Sequence, residues 1–354
     1  MWLLGFSALF GNFYVIVWRQ REKSSSRTQA VHSFFIFNLA ISDFLMGIYM
    51  LIIAGADLYY GDNYFIESDL WRSGYVCKFA GFVSLLSSEA SVFFVTLISI
   101  DRFISITFPF SAAVFTLGRS KITASFLWLI SLTVSLVPTI YAGPDSDVYD
   151  LSDVCIGLPL ITRPTSFSST DGIDLTQVIN GTFAAPVAND TKPAWYYSIA
   201  LFLGVNLLCF LVILVCYIFI FITIRRSSKR VNRKPKQEEE RRMAMKMAVI
   251  VGTDFMCWMP VIIMGILSQT GAVVIPVSAY VWIVVFILPI NSSLNPYLYS
   301  ISSIISTNRK KSLRASSTLK MHSRESVLSL SKSLPTINYG NGDDIKLKCQ
   351  ISYK

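Results

Sequence analysis

The chain has 354 residues, with 31 Lys+Arg against 22 Asp+Glu, a formal net charge of +9, and only 15% charged residues. A soluble domain carries about 25% charged residues. With 53% hydrophobic residues and a mean hydropathy of +0.53, an ordinary soluble enzyme, a disordered chain and a small disulfide framework are excluded. The basic pI of about 9.2 points to nucleic acid only if the charge is spread over a folded surface, and here it is not.

A membrane helix needs about 20 mostly apolar residues. Seven such blocks occur, at 1–18, 32–56, 78–106, 122–142, 194–224, 243–267 and 272–301. They are continuous, whereas barrel strands would alternate over about ten residues. The expected fold is an all-α membrane protein. A seven-transmembrane-helix bundle occupies 1–302 with a long outer loop at 143–192. A short amphipathic eighth helix follows at 303–315, and a disordered Ser-rich cytoplasmic tail at 316–354. Arg309, Lys310, Lys311 and Arg314 in the amphipathic stretch suit anionic lipid headgroups.

Loop charge sets the orientation. The segments 19–27, 101–121, 225–246 and the tail from Arg309 carry +3, +2, +7 and +7, while 57–78 and 145–192 carry −2 and −5. Three further acids, Asp43, Glu89 and Asp254, fall inside apolar blocks. The basic side is read as cytoplasmic, so the first helix starts outside and the tail ends inside. The first block is short and lacks the basic flank and cleavage site of a signal peptide. An outer segment missing before Met1 is expected, with a natural short form as the alternative.

Cys77 and Cys155 both fall on the outer side by this rule, where a disulfide between them is expected. Cys209, Cys216 and Cys257 lie within apolar blocks and read as packing residues, and Cys349 lies in the tail. The outer loop contains two glycosylation sequons, at Asn180 and Asn189. Asn291 begins a third, but within a span. His32 and His322 are the only histidines. No nucleotide loop, metal-ligand cluster or Ser/His/Asp set is present, so no enzyme activity and no nucleic-acid partner are expected.

Several short motifs then occur in order on successive spans. The second carries Asn38-Leu-Ala-Ile-Ser-Asp43 and the third ends in Asp101-Arg102-Phe103, with Cys77 25 residues before Arg102. Trp128 is central in the fourth. Cys257-Trp258-Met259-Pro260 lies in the sixth and Asn295-Pro296-Tyr297-Leu298-Tyr299 in the seventh. Together they resemble the rhodopsin-like (class A) G-protein-coupled receptors over essentially the whole membrane portion. Glu89, Asp254, the absence of a proline around Asn206, and Pro289-Ile-Asn291 are similar to the leucine-rich-repeat-containing branch, of relaxin-receptor and molluscan type. That branch carries a large repeat ectodomain, and these 354 residues contain no such repeat.

The resemblance implies an allosteric receptor at the plasma membrane with roles for particular residues. Arg102 is held at rest by Asp101 and by Glu240, with a solvated charge in 238–240 as the equal alternative for Glu240, and is released when the sixth helix swings outward. Trp258, Pro260 and Asp254 form the hinge region, with Asp254 bonding to Asn291 or Asn295 of the Asn295-Pro296 segment. Tyr217 and Tyr299 line the opened cavity. Asp43, Ser91, Glu89, Asn291 and Asn12 form a buried polar network. Asp43, Ser91, Asn291 and Asn295 are the candidate set for a sodium ion acting as allosteric modulator, against a protonated Asp43 as the alternative. A helix-packing hydrogen bond and a ligand contact remain equal alternatives for Glu89. The implied partners are a heterotrimeric G protein, an extracellular peptide or protein ligand, and the bilayer. Arrestin and a receptor kinase would act on the Ser-rich tail, which begins Ser316, Ser317 and Thr318. A truncated, non-signalling or hetero-oligomerising receptor fragment is the competing reading. A transporter fits less well, because the chain shows no internal repeat.

Overall fold

The computed structural model describes residues 1–22, 26–108, 111, 114–141, 154–155, 199–228, 235–270, 282 and 289–298. Its helices are α1 (Trp2–Arg21), α2 (Arg27–Tyr60), α3 (Tyr64–Ser73), α4 (Tyr75–Thr107) and α5 (Leu117–Tyr141). A π-helical turn (Ile199–Asn206) then leads into α6 (Leu207–Ser228), followed by α7 (Pro235–Thr270) and a final helix, α8, at 289–298. No strand occurs among the described residues. Five of these helices, α1, α2, α4, α5 and the one through Gly204–Arg226, contain stretches long and apolar enough to cross a membrane. The apolar part of α7, Ala248–Met264, is shorter. Most of the seventh expected span, the amphipathic stretch 303–315 and the tail lie outside the described residues.

Local chemistry places the helix ends. The Ser26 side chain accepts a hydrogen bond from the Gln29 backbone N–H and starts α2. That helix stops at Gly61, whose φ of 45° suits only glycine without cost. Pro235 opens α7 at the position where a missing N–H does no harm. Pro260, inside α7, deletes one backbone bond where the helix can bend. At 33 residues, α4 is about 50 Å long, against about 30 Å of hydrocarbon, so it extends past the apolar layer.

The structure differs from the sequence reading in three places. The connection between the second and third spans is not a simple loop. It folds as a short 3-10 turn and α3, with Tyr60 stacked edge-on to Tyr64 and packed against the buried Trp71. The basic stretch before the sixth span is helical from Pro235. Its Glu and Lys residues are good helix formers, and hydropathy marks only where lipid begins. Where the sequence of the fifth span reads as a plain apolar helix without proline, residues Ile199–Asn206 form a π turn.

The helix α4 is the hub and packs against α2, α5, α6 and α7. Its apolar window is 89% buried, against 22% for α5 and 28% for the Gly204–Arg226 stretch. The exposed faces of those two helices carry Ile122, Phe126 and Leu129, and Leu208, Leu211 and Leu214. Such faces are satisfied by lipid tails, so apolar burial does not hold the helices together; close packing and interhelical hydrogen bonds do. Gly47 of α2 shows the close packing, because a Cβ there would sit 2.6 Å from the Leu9 backbone nitrogen of α1. Gly11 admits Pro296 in the same way, with a Cβ–Cγ separation of 2.8 Å.

Candidate functional site

The site is a polar seam through the middle of this packing. Asp43 on α2, Glu89 on α4 and Asp254 on α7 are each 0% exposed. An ionisable group at mid-membrane costs about 2.5–3.5 kcal/mol on insertion scales, so each needs partners. Asp43 has the fullest set. Ser292 Oγ donates to its Oδ1 at 2.8 Å and Asn295 Nδ2 to its Oδ2 at 2.8 Å. Ser91 Oγ of α4 lies at 3.5 Å from Oδ1, the outer limit of a hydrogen bond. Asp254 Oδ1 accepts a hydrogen bond from Asn291 Nδ2. Glu89 accepts from Asn206 Nδ2 at 3.0 Å, where the π turn meets α6.

One short segment, 291–295 of α8, therefore grips two acids on two different helices. Successive helical residues point about 100° apart, so Asn291 and Ser292 address different neighbours. The same segment is fastened to α1. Asn12 Nδ2 donates to the Ser292 carbonyl at 2.9 Å, and Ser7 Oγ to the Ser293 carbonyl at 3.2 Å. Elsewhere, Trp128 Nε1 of α5 donates to Asn38 Oδ1 of α2 at 3.0 Å, and Ser87 Oγ to the Ser42 carbonyl at 2.7 Å.

Toward the far end of α4, Arg102 is 0% exposed and Asp101 2%. The Arg102 guanidinium donates to Asp101 Oδ2 through Nε at 3.1 Å and through Nη2. A charge pair this deeply buried is held by mutual compensation, and removing either partner strands the other. Tyr217 of α6 packs beside it on the Ile220 and Ile224 cluster with Phe103. At the opposite end, Cys77 and Cys155 form a disulfide with a Cα–Cα distance of 5.3 Å. Cys155 has a left-handed backbone (φ 49°), uncommon for a non-glycine residue. The bridge and the 2.8 Å bond from Tyr49 Oη to the Val154 carbonyl fix this turn on the bundle.

The sequence-named residues are thus largely brought together, with two differences. Asn291 does not join Asp43; it faces α7 and bonds to Asp254, and Asn295 takes Asp43. Ser292 fills the place that Asn291 was expected to hold, and the one-residue helical phase decides this. Trp258 is buried and packs against Phe210 at 6.1 Å between ring centroids. The Glu240 side chain, Tyr299, Asn180 and Asn189 lie outside what is described. Asn206, the partner of Glu89, was missed; its only sequence signal is a lone asparagine in an apolar run.

This architecture defines a multi-pass helical membrane protein with a buried polar seam. Among the described residues no three His, Cys, Asp or Glu side chains gather as a metal site. Residues 11–299 match the sequence model of the family described as "7 transmembrane receptor (rhodopsin family)". The chain belongs to that family, and so is a receptor of the plasma membrane and not an enzyme.

Its relatives include the G-protein coupled receptor GRL101 of Lymnaea stagnalis, 37% identical over 302 residues, covering 85% of this chain and 24% of that protein. Relaxin receptor 2 of Canis lupus familiaris is 30% identical over 357 residues, covering 100% of this chain and 44% of that receptor. The thyrotropin receptor of Ovis aries is 28% identical over 302 residues, 85% of this chain and 34% of that receptor. The chain thus sits in the branch of the relaxin receptors and spans less than half the length of these curated relatives.

Proposed function

We propose that the chain transmits an extracellular signal, carried by a peptide or protein hormone, to a heterotrimeric G protein by outward movement of α7. The amino end lies outside and the tail in the cytoplasm. The observation that carries this reading is the Asp254–Asn291 bond beside Pro260. It is a single polar tie across a helix that can bend, which is what a two-state element requires. The buried Asp101–Arg102 pair is the natural reporter at the cytoplasmic end, and release of Arg102 opens the G-protein site. Glu240, on the first turns of α7, is the second candidate holder of Arg102. The printed names of the relaxin and thyrotropin receptors support a hormone as the ligand class. The acidic outer loops would steer a basic one.

The oxygens around Asp43 fit a small hard cation. Asp43, Ser91, Ser292 and Asn295 would hold it. Asn295 Oδ1 and Asn291 Oδ1 are buried acceptors with no partner among the described residues. A bound sodium ion would supply positive charge that stabilises the resting bundle. Thermal stability should then rise with sodium in the wild type and not in Asp43→Asn; equal sodium responses in both would remove the ion from the account. Glycosylation at Asn180 and Asn189, and phosphorylation of the Ser-rich tail by a receptor kinase with recruitment of arrestin, complete the proposal.

The deciding experiment is basal G-protein-dependent signalling, read as cellular cAMP, in wild type, Arg102→Ala and Asp254→Gly at matched surface expression. The reading expects Asp254→Gly above wild type and Arg102→Ala below it. Three equal values would contradict it.

A further inference from the structure

Pro296 lies inside α8, and a proline there changes its helix in two ways. It has no N–H to give the Ser292 carbonyl four residues earlier, and its ring stands out from the helix surface. Adjacent residues of α1 meet both needs. Asn12 Nδ2 donates to that same Ser292 carbonyl at 2.9 Å. Gly11 leaves the space that the ring fills. A Cβ on Gly11 would lie 2.8 Å from Pro296 Cγ and 2.9 Å from Pro296 Cβ, closer than real side chains come. One turn earlier on α1, Ser7 Oγ donates to the Ser293 carbonyl at 3.2 Å and stands 3.1 Å from Tyr297 Oη. Ser7, Gly11 and Asn12 thus hold Ser292, Ser293, Pro296 and Tyr297 along one side of α8.

Asn291 is on the other side. At about 100° per residue it points about 140° away from Pro296 and about 160° away from Ser293. The segment is therefore held at its back by α1 while Asn291 reaches Asp254 of α7 at its front. Side chains reach about 5–6 Å from a helix axis, so a turn of about 10° carries the Asn291 amide about 1 Å. An N–H···O bond tolerates about half of that. We propose that Gly11, with Ser7 and Asn12, forms a seat that sets the rotation of α8, and that this seat makes Asn291 rather than Ser292 the partner of Asp254. These are positioning residues, acting on Asp254 only through α8. The helix that carries the seat is itself locked to α2, where Gly47 admits the Leu9 backbone. The seat thus keeps the segment in phase while α7 moves, and on that point the inference rests on the proposed function.

The test is a set of double-substitution cycles on the full chain in detergent, read as melting temperature. Gly11→Ala drives a Cβ into a ring that cannot swing aside, so α8 has to turn or shift. Asn291→Ala removes the donor to Asp254. If the seat sets the phase, Gly11→Ala already weakens that bond, and the pair should lose clearly less than the sum of the two single losses. Gly5→Ala is the control. Its Cβ would meet Leu51 Cδ2 at 3.0 Å and Met50 Cβ at 3.2 Å, both on α2, and its loss should add in full to that of Asn291→Ala. Ser7→Ala removes a bond and adds no atom, so it carries the test if Gly11→Ala does not fold. It should fall short of additivity with Asn291→Ala in the same sense, by a smaller amount. Full additivity of Asn291→Ala with Ser7→Ala, and with Gly11→Ala where that folds, would overturn the proposal, as would an equal shortfall with Gly5→Ala. The cycles do not depend on signalling. Non-additive melting with unchanged basal cAMP in Gly11→Ala would count against the proposed function and leave the seat standing.

Discussion

Asp43 and Asp254 are gripped by the same few residues of α8, yet the two grips differ in kind. Asp43 receives Ser292 and Asn295 on separate oxygens, with Ser91 at the edge of reach, and sits on α2, which packs tightly along α1 through Gly47. Among the described residues Asp254 receives Asn291 alone, and it sits on α7, six residues before the Pro260 break. On the proposed function, one side of the seam serves as an anchor and the other as a latch. A single hydrogen bond contributes about 1 kcal/mol net, and several on one buried group contribute more than any of them alone. The same segment can therefore stay on α2 while it lets go of α7.

Substitutions can break this contrast from both ends. The largest expected loss of stability follows Asp43→Ala, which strands Ser292 and Asn295 in the dry interior. A cost of about 3 kcal/mol or more should appear as a large drop in the melting temperature of the detergent-solubilised receptor. A drop no larger than that of a lipid-facing substitution would remove Asp43 as the anchor. Next comes Asp254→Gly, which removes one bond of about 1–2 kcal/mol and so shifts a two-state equilibrium by about 5- to 30-fold. Basal signalling should rise while stability falls only modestly. A well-expressed but silent variant would refute the latch.

Trp128→Phe sharpens the comparison from outside the seam. It deletes the donor to Asn38 without touching α8. It should cost about 1 kcal/mol and leave basal signalling at the wild-type level; raised signalling would mean that the latch is not local to α7. The smallest effect belongs to Leu211→Ala on the lipid face, expected within about 0.5 kcal/mol. A larger loss would show that this face packs against protein.

Much of this was legible in the sequence, for a physical reason. A charged residue in a 20-residue apolar run has a cost that chance does not explain, so Asp43, Glu89 and Asp254 announce themselves. The proline in α7 and the cysteines Cys77 and Cys155 are similarly conspicuous. What was not legible depends on helical phase and on neighbours far away in the chain. Nothing local distinguishes Asn291 from Ser292 as the partner of Asp43; only the rotation of α8 against α2 and α7 does. Asn206 reads as a minor blemish in an apolar stretch until the π turn brings it to Glu89. Gly47 and Gly11 reveal their purpose only through the backbone and the proline that press against them. The α3 helix was hidden because its polar surface resembles a loop; among its described side chains Tyr64 and Trp71 pack inward.

The claim that α7 is latched by Asp254 is tested most directly by a distance. Spin labels at Phe108, just beyond the end of α4, and Met245, on the early part of α7, both occupy exposed positions. In a background without other reactive cysteines, pulsed resonance would give the distance distribution between them with and without Asp254→Gly. The latch predicts that the substitution moves population to a longer distance while the α4 hub stays in place. An unchanged distribution alongside raised basal signalling would contradict it.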